Sequence, residues 1–259
     1  MPLLHQIDAF TRVAFRGNPA AVCLLEEEAD ETWMQGLALE MNLSETAFVR
    51  PLKNGLRELR WFTPKVEVDL CGHATLAAAH MIREVEDCED ELRFETRSGI
   101  LRATFDGPRV VLDFPAKPAA PADATPDLLE ALGVEAQAYG ESAFDALVEV
   151  EDEALVLSCE PDMRALAALP VRGVILTSLC ASGTSFVSRF FAPGAGIDED
   201  PATGSAHCTL APWYRDRLGD GPIRARQLSA RGAEIETTCH GPRVELRGHA
   251  TTTLRGQVD

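Results

Sequence analysis

The stretch WFTPKVEVDLCGHATLAAAH, residues 61–80, joins an aromatic strand pattern to an alanine-rich helix pattern through an acidic loop and a glycine. The second half of the chain contains an echo of it, RFFAPGAGIDEDPATGSAHCTLA, at residues 189–211. In both, the strand ends at a proline and Gly-(His/Ser)-Ala opens a helix of small residues. A repeated unit of this kind indicates two halves of similar architecture. Two such halves would bring two helix N-termini to one cleft.

Composition indicates an ordinary folded protein. The chain has 259 residues, of which 46% are hydrophobic and 25% charged, so it can form one large domain or two domains of about 100 to 150 residues. Its net charge of -17 repels the phosphates of nucleic acids and anionic lipids, and we expect neither as a partner. No apolar run reaches about 18 residues, and the first ten residues lack a signal-peptide pattern. Seven scattered cysteines fit a reducing compartment, so a cytoplasmic location is expected.

Short β-rich segments recur along the chain and predict mostly antiparallel sheets. One of these predicted strands is ALVLS at residues 154–158. Helix patterns are fewer, and they cover residues 30–42, 126–133 and 161–169 and the stretches that begin at Gly72 and near Gly204. The proline-rich and alanine-rich segment 113–126 reads as a linker. The chain is therefore predicted to divide into domains 1–115 and 116–246.

The two glycine motifs are candidate anion sites. Helix N-termini expose unpaired backbone N–H groups and carry partial positive charge, so a glycine there lets an anion approach closely. The turns Gly72–Thr75 and Gly204–Ala206 are therefore candidate cradles for a carboxylate or an oxyanion. Equally, the glycines could serve only the close packing of a helix against a sheet.

Metal binding is not expected from the spacing of the cysteines and histidines. His73 and His80 are seven residues apart, about 10 Å along a helix axis, whereas ligands on a helix usually lie three or four residues apart. His207 and Cys208 are adjacent and point to different faces of a helix. We predict no metal site.

Two acidic residues stand out, each with a simpler alternative. Glu45 in NLSETAFV lies at the edge of an apolar segment, where partial desolvation of the carboxylate would suit a general acid/base. For an isolated glutamate, a solvated position after a serine is the more frequent case. Asp200 precedes Pro201, which is also the pattern of an N-cap aspartate with proline in the first helical position.

Taken together, four motifs resemble the PhzF-like family of phenazine-biosynthesis isomerases. They are QIDAFTRVAFRGNPAAV (6–22), NLSETAFV (42–49), RWFTPKVEVDLCGHATLAAA (60–79) and DEDPATGSAHCTLAPW (198–213). The motifs occur in the order of the family and span most of the chain.

The resemblance implies an α+β fold of the diaminopimelate epimerase-like class. In that class, two pseudo-symmetric domains each wrap a curved, mostly antiparallel sheet around a central helix, and the active site lies between them. The C-terminal segment, about 247–259, would return to the first domain. The resemblance also implies a cofactor-free enzyme that forms a homodimer.

Matched position by position, the family motifs assign catalytic roles to Glu45, His73 and Asp200. Glu45 matches the acid/base of the family, which would remove a proton from a small carboxylate or amino-acid-like substrate and return it elsewhere. The substrate-binding positions implied are Asn18, Gly72, Ala74, Gly204, Ser205 and Ala206. The sequence therefore predicts a cofactor-independent isomerase.

Two alternatives remain open. The first is an amino-acid racemase or epimerase that uses Cys71, since two-thiol enzymes of this fold place a cysteine before each glycine. Here Thr203 precedes Gly204, and a hydroxyl cannot replace a thiolate as a base. The second alternative is a small-molecule-binding relative that has lost the chemistry.

Overall fold

The computed structural model describes residues 1–259 and shows an α+β protein with 18 strands and six α-helices. The chain separates into two compact units, a first unit of residues 1–114 and 247–259 and a second unit of residues 115–246. None of the helices combines the length and hydropathy that crossing a membrane requires.

The bounds of the strands and helices are as follows. The strands are β1 (Leu3–Ala9), β2 (Asn18–Leu24), β3 (Glu45–Pro51), β4 (Leu56–Phe62), β5 (Glu67–Val68), β6 (Leu92–Thr96), β7 (Gly99–Asp106), β8 (Arg109–Pro115), β9 (Ala120–Pro121), β10 (Ala138–Glu141), β11 (Asp145–Glu149), β12 (Gly173–Leu179), β13 (Ser185–Ala192), β14 (Ile197–Glu199), β15 (Ile223–Gln227), β16 (Ala233–His240), β17 (Arg243–Gly248) and β18 (Ala250–Gln257). The helices are α1 (Glu31–Met41), α2 (Gly72–Glu86), α3 (Pro126–Leu132), α4 (Glu153–Ser158), α5 (Met163–Ala167) and α6 (Gly204–Leu218).

The sheet of the first unit runs β18-β1-β2-β3-β4-β6-β7-β8. Its strand pairs are antiparallel except β2–β3 and β4–β6, and the short β5 pairs with the end of β4. Helix α2 packs on β1, β2 and β3, and seven consecutive residues, 73–79, are buried. A helix that is buried on every side is a core helix, so α2 is the centre of this unit.

The second unit repeats this plan. Its sheet runs β9-β10-β11-β12-β13-β15-β16, with β11–β12 and β13–β15 as the parallel pairs and β14 beside β13. Residues 206–211 of α6 are all buried, which makes α6 the central helix here. Helices α3, α4 and α5 add Leu128, Val156 and Leu166 to a further apolar core.

The segment ALVLS, predicted as a strand, is the helix α4, so that prediction is wrong. Asp152 is the N-cap and accepts a hydrogen bond from the backbone N–H of Leu155 at 2.9 Å. Only Val156 of this helix is buried. In so short an apolar run, hydrophobicity alone does not distinguish a strand from a helix, and the capping aspartate decides.

The proline-rich segment 113–126 is not a free linker, although the two units divide within it, after Phe114. The backbone N–H of Lys117 donates to the carbonyl of Cys208 in α6 at 2.9 Å. Pro212 lies four residues after Cys208 and has no N–H to offer that carbonyl. Lys117 thus satisfies the acceptor that the proline leaves inside the helix, and the segment is tied to the second unit.

Candidate active site

In the first unit, three side chains to which the sequence analysis assigns a possible catalytic role lie together at the start of α2. Glu45 is the first residue of β3, Cys71 is the N-cap of α2, and His73 is the second residue of that helix. The thiol sulfur, one imidazole nitrogen and one carboxylate oxygen of these residues all lie within 4.8 Å of one another. His73 Nδ1 is 3.5 Å from Cys71 Sγ, and His73 Nε2 is 3.4 Å from Glu45 Oε2. The three groups form a chain of thiol, imidazole and carboxylate.

The imidazole of His73 is neutral in this position. It is buried, and desolvation lowers its pKa from 6.5 to about 3. A neutral imidazole carries one N–H and one acceptor nitrogen, and which nitrogen carries the proton depends on the two neighbours. The contact of Nε2 with Glu45 is long for a hydrogen bond, and Nε2 has no other partner. His73 can therefore direct its one N–H either toward Glu45 from Nε2 or toward Cys71 from Nδ1.

The N-terminus of α2 has no side-chain cap. The thiol of Cys71 does not accept a hydrogen bond from the first turn, whereas in α1 the carboxylate of Asp30 accepts two. The hydroxyl of Thr75 donates to the carbonyl of Cys71 at 2.5 Å, which fixes the start of the helix without using its amides. Because the first N–H groups of a helix have no acceptor within the helix, this terminus is a candidate binding site for an anion.

Glu45, Cys71 and His73 also carry atoms that ligate metals. The imidazole, however, turns a different nitrogen to each neighbour, whereas binding one ion would require a single nitrogen to face both the sulfur and the carboxylate. The arrangement matches a proton-transfer chain better than a chelating site. That no metal or cofactor is used remains a prediction.

Asn18 lies close by in the sheet, at the start of β2. It is fully buried. Ala20, two residues further along the same strand, lies opposite Glu45 in the parallel pair β2–β3. The preceding Gly17 has φ of +64°, and a Cβ there would lie 2.1 Å from the carbonyl oxygen of Ala9. Only glycine fits this turn, which explains the GNP motif and fixes where β2 begins.

In the second unit, the start of α6 is organised differently. Its N-cap is Thr203, so the sequence-based alternative with Asp200 as N-cap and Pro201 in the first turn is wrong. The Thr203 hydroxyl does not cap the helix; it donates to Asp200 Oδ2 at 2.5 Å. Gly204 and Ala206 are buried and Ser205 is half-buried at this uncapped start. Like the start of α2, this terminus suits an anion.

Two residues that the sequence analysis does not identify make hydrogen bonds to residues 200–205 at the start of α6. Gln227, at the end of β15, hydrogen-bonds to Asp200 and Thr203. Arg172 donates to the hydroxyl of Ser205 at 3.1 Å and to the carboxylate of Asp145 at 2.8 Å. Both lie more than twenty residues from their partners, and no local motif marks them. Only the alternation of apolar residues with arginines in IRARQ, residues 223–227, indicates from sequence that Gln227 faces inward.

His207 is the second buried histidine next to a helix start. Its Nδ1 lies 2.9 Å from the carbonyl oxygen of Thr203, and Nε2 has no hydrogen-bond partner. Burial lowers its pKa from 6.5 to about 4, against a smaller opposite effect of that hydrogen bond. His207 is therefore neutral and donates from Nδ1, which supports the first turn of α6.

Comparisons with known proteins identify relatives along almost the whole chain. The family model described as phenazine biosynthesis-like protein matches residues 7–256. A protein of Halalkalibacterium halodurans named as an uncharacterised isomerase is 43% identical over 98% of this chain and 97% of its own length. The crystal structure of a PhzF-family phenazine biosynthesis protein from Enterococcus faecalis superimposes with a TM-score of 0.95 at 38% identity, covering 100% of this chain and 99% of the other.

A more distant likeness supports the fold alone. The crystal structure of a probable proline racemase from Agrobacterium radiobacter has a TM-score of 0.68 at 14% identity, covering 100% of this chain and 93% of the other. The predicted diaminopimelate epimerase-like fold is confirmed by these likenesses.

Proposed function

Because the chain belongs to the phenazine biosynthesis-like protein family and is an isomerase, we propose that it moves a proton within a small carboxylate or amino-acid-like substrate without a cofactor. The observation that carries this proposal is the contact between Glu45 and the neutral His73 at an uncapped helix N-terminus. It combines a base, a neutral imidazole beside that base, and backbone donors for the charge that develops.

In the proposed reaction, the Glu45 carboxylate removes a proton from a carbon made acidic by a neighbouring carboxylate or by conjugation. The electron pair of the broken C–H bond delocalises into the substrate, and backbone N–H groups of residues 72–74 stabilise the negative charge. Such preorganised donors typically contribute about 3 kcal/mol each to a transition state. The proton held by Glu45 then returns to another carbon of the same substrate, which restores the carboxylate.

His73 has a defined part in this cycle. While Glu45 is ionised, the tautomer with Nε2–H faces its carboxylate and favours the charged form. Because its pKa of about 3 keeps the imidazole neutral, His73 does not take up the proton that Glu45 removes from the substrate.

We also propose that the second unit takes part in binding the substrate. Asp200 and Ser205 would orient polar groups of the substrate, and the N–H groups of residues 204–206 would bind its carboxylate. Support comes from the uncapped start of α6 and from the matching motif in the first unit. That the protein is a cytoplasmic homodimer also remains a prediction.

The thiol racemase is the weaker candidate. Cys71 lies beside His73, which favours a reactive thiol at this one position. At the position where a second thiol would be required, Thr203 has its hydroxyl bound to Asp200. A binding relative without catalysis is also less well supported, because Glu45, His73, Asp200 and Ser205 are all retained.

The test is solvent hydrogen exchange. Wild-type protein, Glu45→Gln and the control Glu40→Gln, which removes an exposed carboxylate on α1, are incubated in D₂O with a panel of amino acids and unsaturated amino or hydroxy acids. Deuterium at substrate carbons is measured by NMR and mass spectrometry. We expect incorporation or isomerisation with the wild type and with Glu40→Gln, and loss of about 10³-fold in Glu45→Gln. Full turnover in Glu45→Gln would exclude Glu45 as the base.

A further inference from the structure

One buried amide joins three atoms at the start of α6. Gln227 is 1% exposed, and its Oε1 accepts a hydrogen bond from the backbone N–H of Thr203 at 2.8 Å. Its Nε2 donates to the carbonyl oxygen of Asp200 at 2.6 Å and to the hydroxyl oxygen of Thr203 at 3.1 Å. All polar atoms of this side chain are directed at the loop that carries Asp200.

The donors and acceptors in this cluster have only one consistent assignment. The N–H of Thr203 can only donate and the carbonyl of Asp200 can only accept, so the orientation of the Gln227 amide is fixed. Since the Thr203 hydroxyl accepts from Nε2, its own proton is directed to Asp200 Oδ2, 2.5 Å away. One oxygen of the Asp200 carboxylate is thereby held through Thr203.

The chain of hydrogen bonds starts from a rigid element. Gln227 is the last residue of β15, which lies between β13 and β16 and pairs with both. The next residue, Leu228, donates its backbone N–H to Ser188 on β13 at 2.7 Å. The Gln227 backbone therefore cannot shift without breaking the sheet, and a side chain that is both packed and hydrogen-bonded fixes the group it contacts.

We propose that Gln227 and Thr203 are positioning residues for Asp200: Gln227 orients the Thr203 hydroxyl, and that hydroxyl holds the carboxylate in the geometry that the substrate requires. The inference rests on the proposed function, because it assigns Asp200 a contact with substrate. It also gives Thr203 a role at the position where a two-thiol enzyme would have its second cysteine.

The central experiment removes one hydroxyl. Thr203→Val, Thr203→Ser and the control Thr209→Val are compared for kcat and KM on whichever substrate of the panel the wild type turns over. Thr209 is a matched control because it is buried in the same helix and its hydroxyl has no hydrogen-bond partner. We expect Thr203→Val to lower kcat about 10-fold to 100-fold with KM changed less than about threefold, and Thr203→Ser to recover most of that loss.

A second measurement separates positioning from simple loosening of the loop. Amide hydrogen exchange at residue 203 reports the bond from that N–H to Gln227. It should accelerate at least about tenfold in Gln227→Leu, stay at the wild-type rate in Thr209→Val, and change little in Thr203→Val, which keeps the backbone bond. A fall in kcat with this amide still protected assigns the loss in Thr203→Val to Asp200 and not to unfolding of the turn.

The outcomes distinguish the two proposals. A wild type that is inert on the whole panel contradicts the proposed function. An active wild type with Thr203→Val within twofold of Thr209→Val overturns the positioning inference alone. An unchanged rate of amide hydrogen exchange at residue 203 in Gln227→Leu would also overturn it. A gain of two-base racemisation in Thr203→Cys would also overturn it, because that side chain would then face the substrate rather than Asp200.

Discussion

The starts of α2 and α6 occupy equivalent places in the two units, yet they are surrounded by different chemistry. Both helices begin at a glycine, are buried around their first turns and lack a side-chain cap. At α2 the neighbours are three ionisable groups, Glu45, His73 and Cys71. At α6 the neighbouring acidic residue is Asp200. Its carboxylate accepts a hydrogen bond from the Thr203 hydroxyl, and its backbone carbonyl accepts one from the Gln227 side chain.

This difference indicates a division of labour. Each of the two similar helix termini can bind an anion, but a proton transfer within one substrate needs only one base. We infer that the first unit carries the chemistry and that the second holds the substrate. The predictions below test this division, beginning with the largest expected effect.

Shortening the base should damage catalysis more than any change in the second unit. Glu45→Asp keeps the carboxylate but withdraws it by one methylene, so we expect kcat to fall about 10² to 10³-fold with little change in thermal stability. Asp200→Glu, assayed in parallel, displaces a group that orients the substrate and should lower kcat less, about 10-fold to 100-fold. If the two variants were equally impaired in kcat, the division of labour would be wrong.

The two nitrogens of His73 can be tested separately. An asparagine retains a polar atom near the Nδ1 position, which faces Cys71, and a glutamine retains one near Nε2, which faces Glu45. If the contact with Glu45 matters, His73→Asn should lose about 10-fold to 100-fold in kcat and His73→Gln clearly less. The reverse order, measured in the same assay, would indicate that the contact with Cys71 carries the function.

Two of the buried histidines, His73 and His207, should make the protein sensitive to acid. The unfolded chain protonates them near their ordinary pKa of 6.5, whereas burial lowers the folded-state pKa of His73 to about 3 and of His207 to about 4. The stability they provide is therefore present above pH 6.5 and is lost as the pH falls from there toward 4. In calorimetric scans, Tm should drop by several degrees between about pH 7 and about pH 5.

Variants locate the origin of that drop. His73→Asn and His207→Asn should each make Tm less dependent on pH than it is in the wild type. A pH dependence in both variants identical to that of the wild type would contradict the assignment to the buried rings.

The smallest effect is expected at Cys71. If Glu45 is the base, Cys71→Ser should retain kcat within about threefold of the wild type, because the hydroxyl still contacts His73. If the thiol were the base, the loss would be about 10³-fold or greater. A steady-state assay of this one variant therefore decides between the isomerase and the thiol racemase.

Much of this arrangement is predictable from sequence, for a physical reason. A glycine followed by small residues marks the start of a buried helix, and α2 and α6 begin at the predicted Gly72 and Gly204. That Glu45 belongs to the same site came from family resemblance, since 28 residues separate it from His73. The sheet brings them together, and its register cannot be read from local patterns.

Other features could not be predicted because they depend on tertiary contacts. Gln227 and Arg172 reach the start of α6 from strand ends, and glutamine and arginine in a strand pattern normally indicate solvent exposure. The hydrophobicity of ALVLS predicts a strand, but the segment is a helix that buries only Val156. An aspartate before a proline predicts an N-cap at Asp200, whereas the N-cap is Thr203 and the Asp200 carboxylate accepts its hydroxyl.

The position of β18 has a consequence for how the chain folds during synthesis. Strand β1, near the start of the chain, pairs with β2 on one side and with β18, formed by residues 250–257, on the other. Until those last residues leave the ribosome, β1 is an unprotected edge, while the continuous segment 115–246 can already fold as a unit. Removing residues 250–259 should therefore expose the edge of β1 and cause aggregation of nascent chains while leaving the second unit able to form.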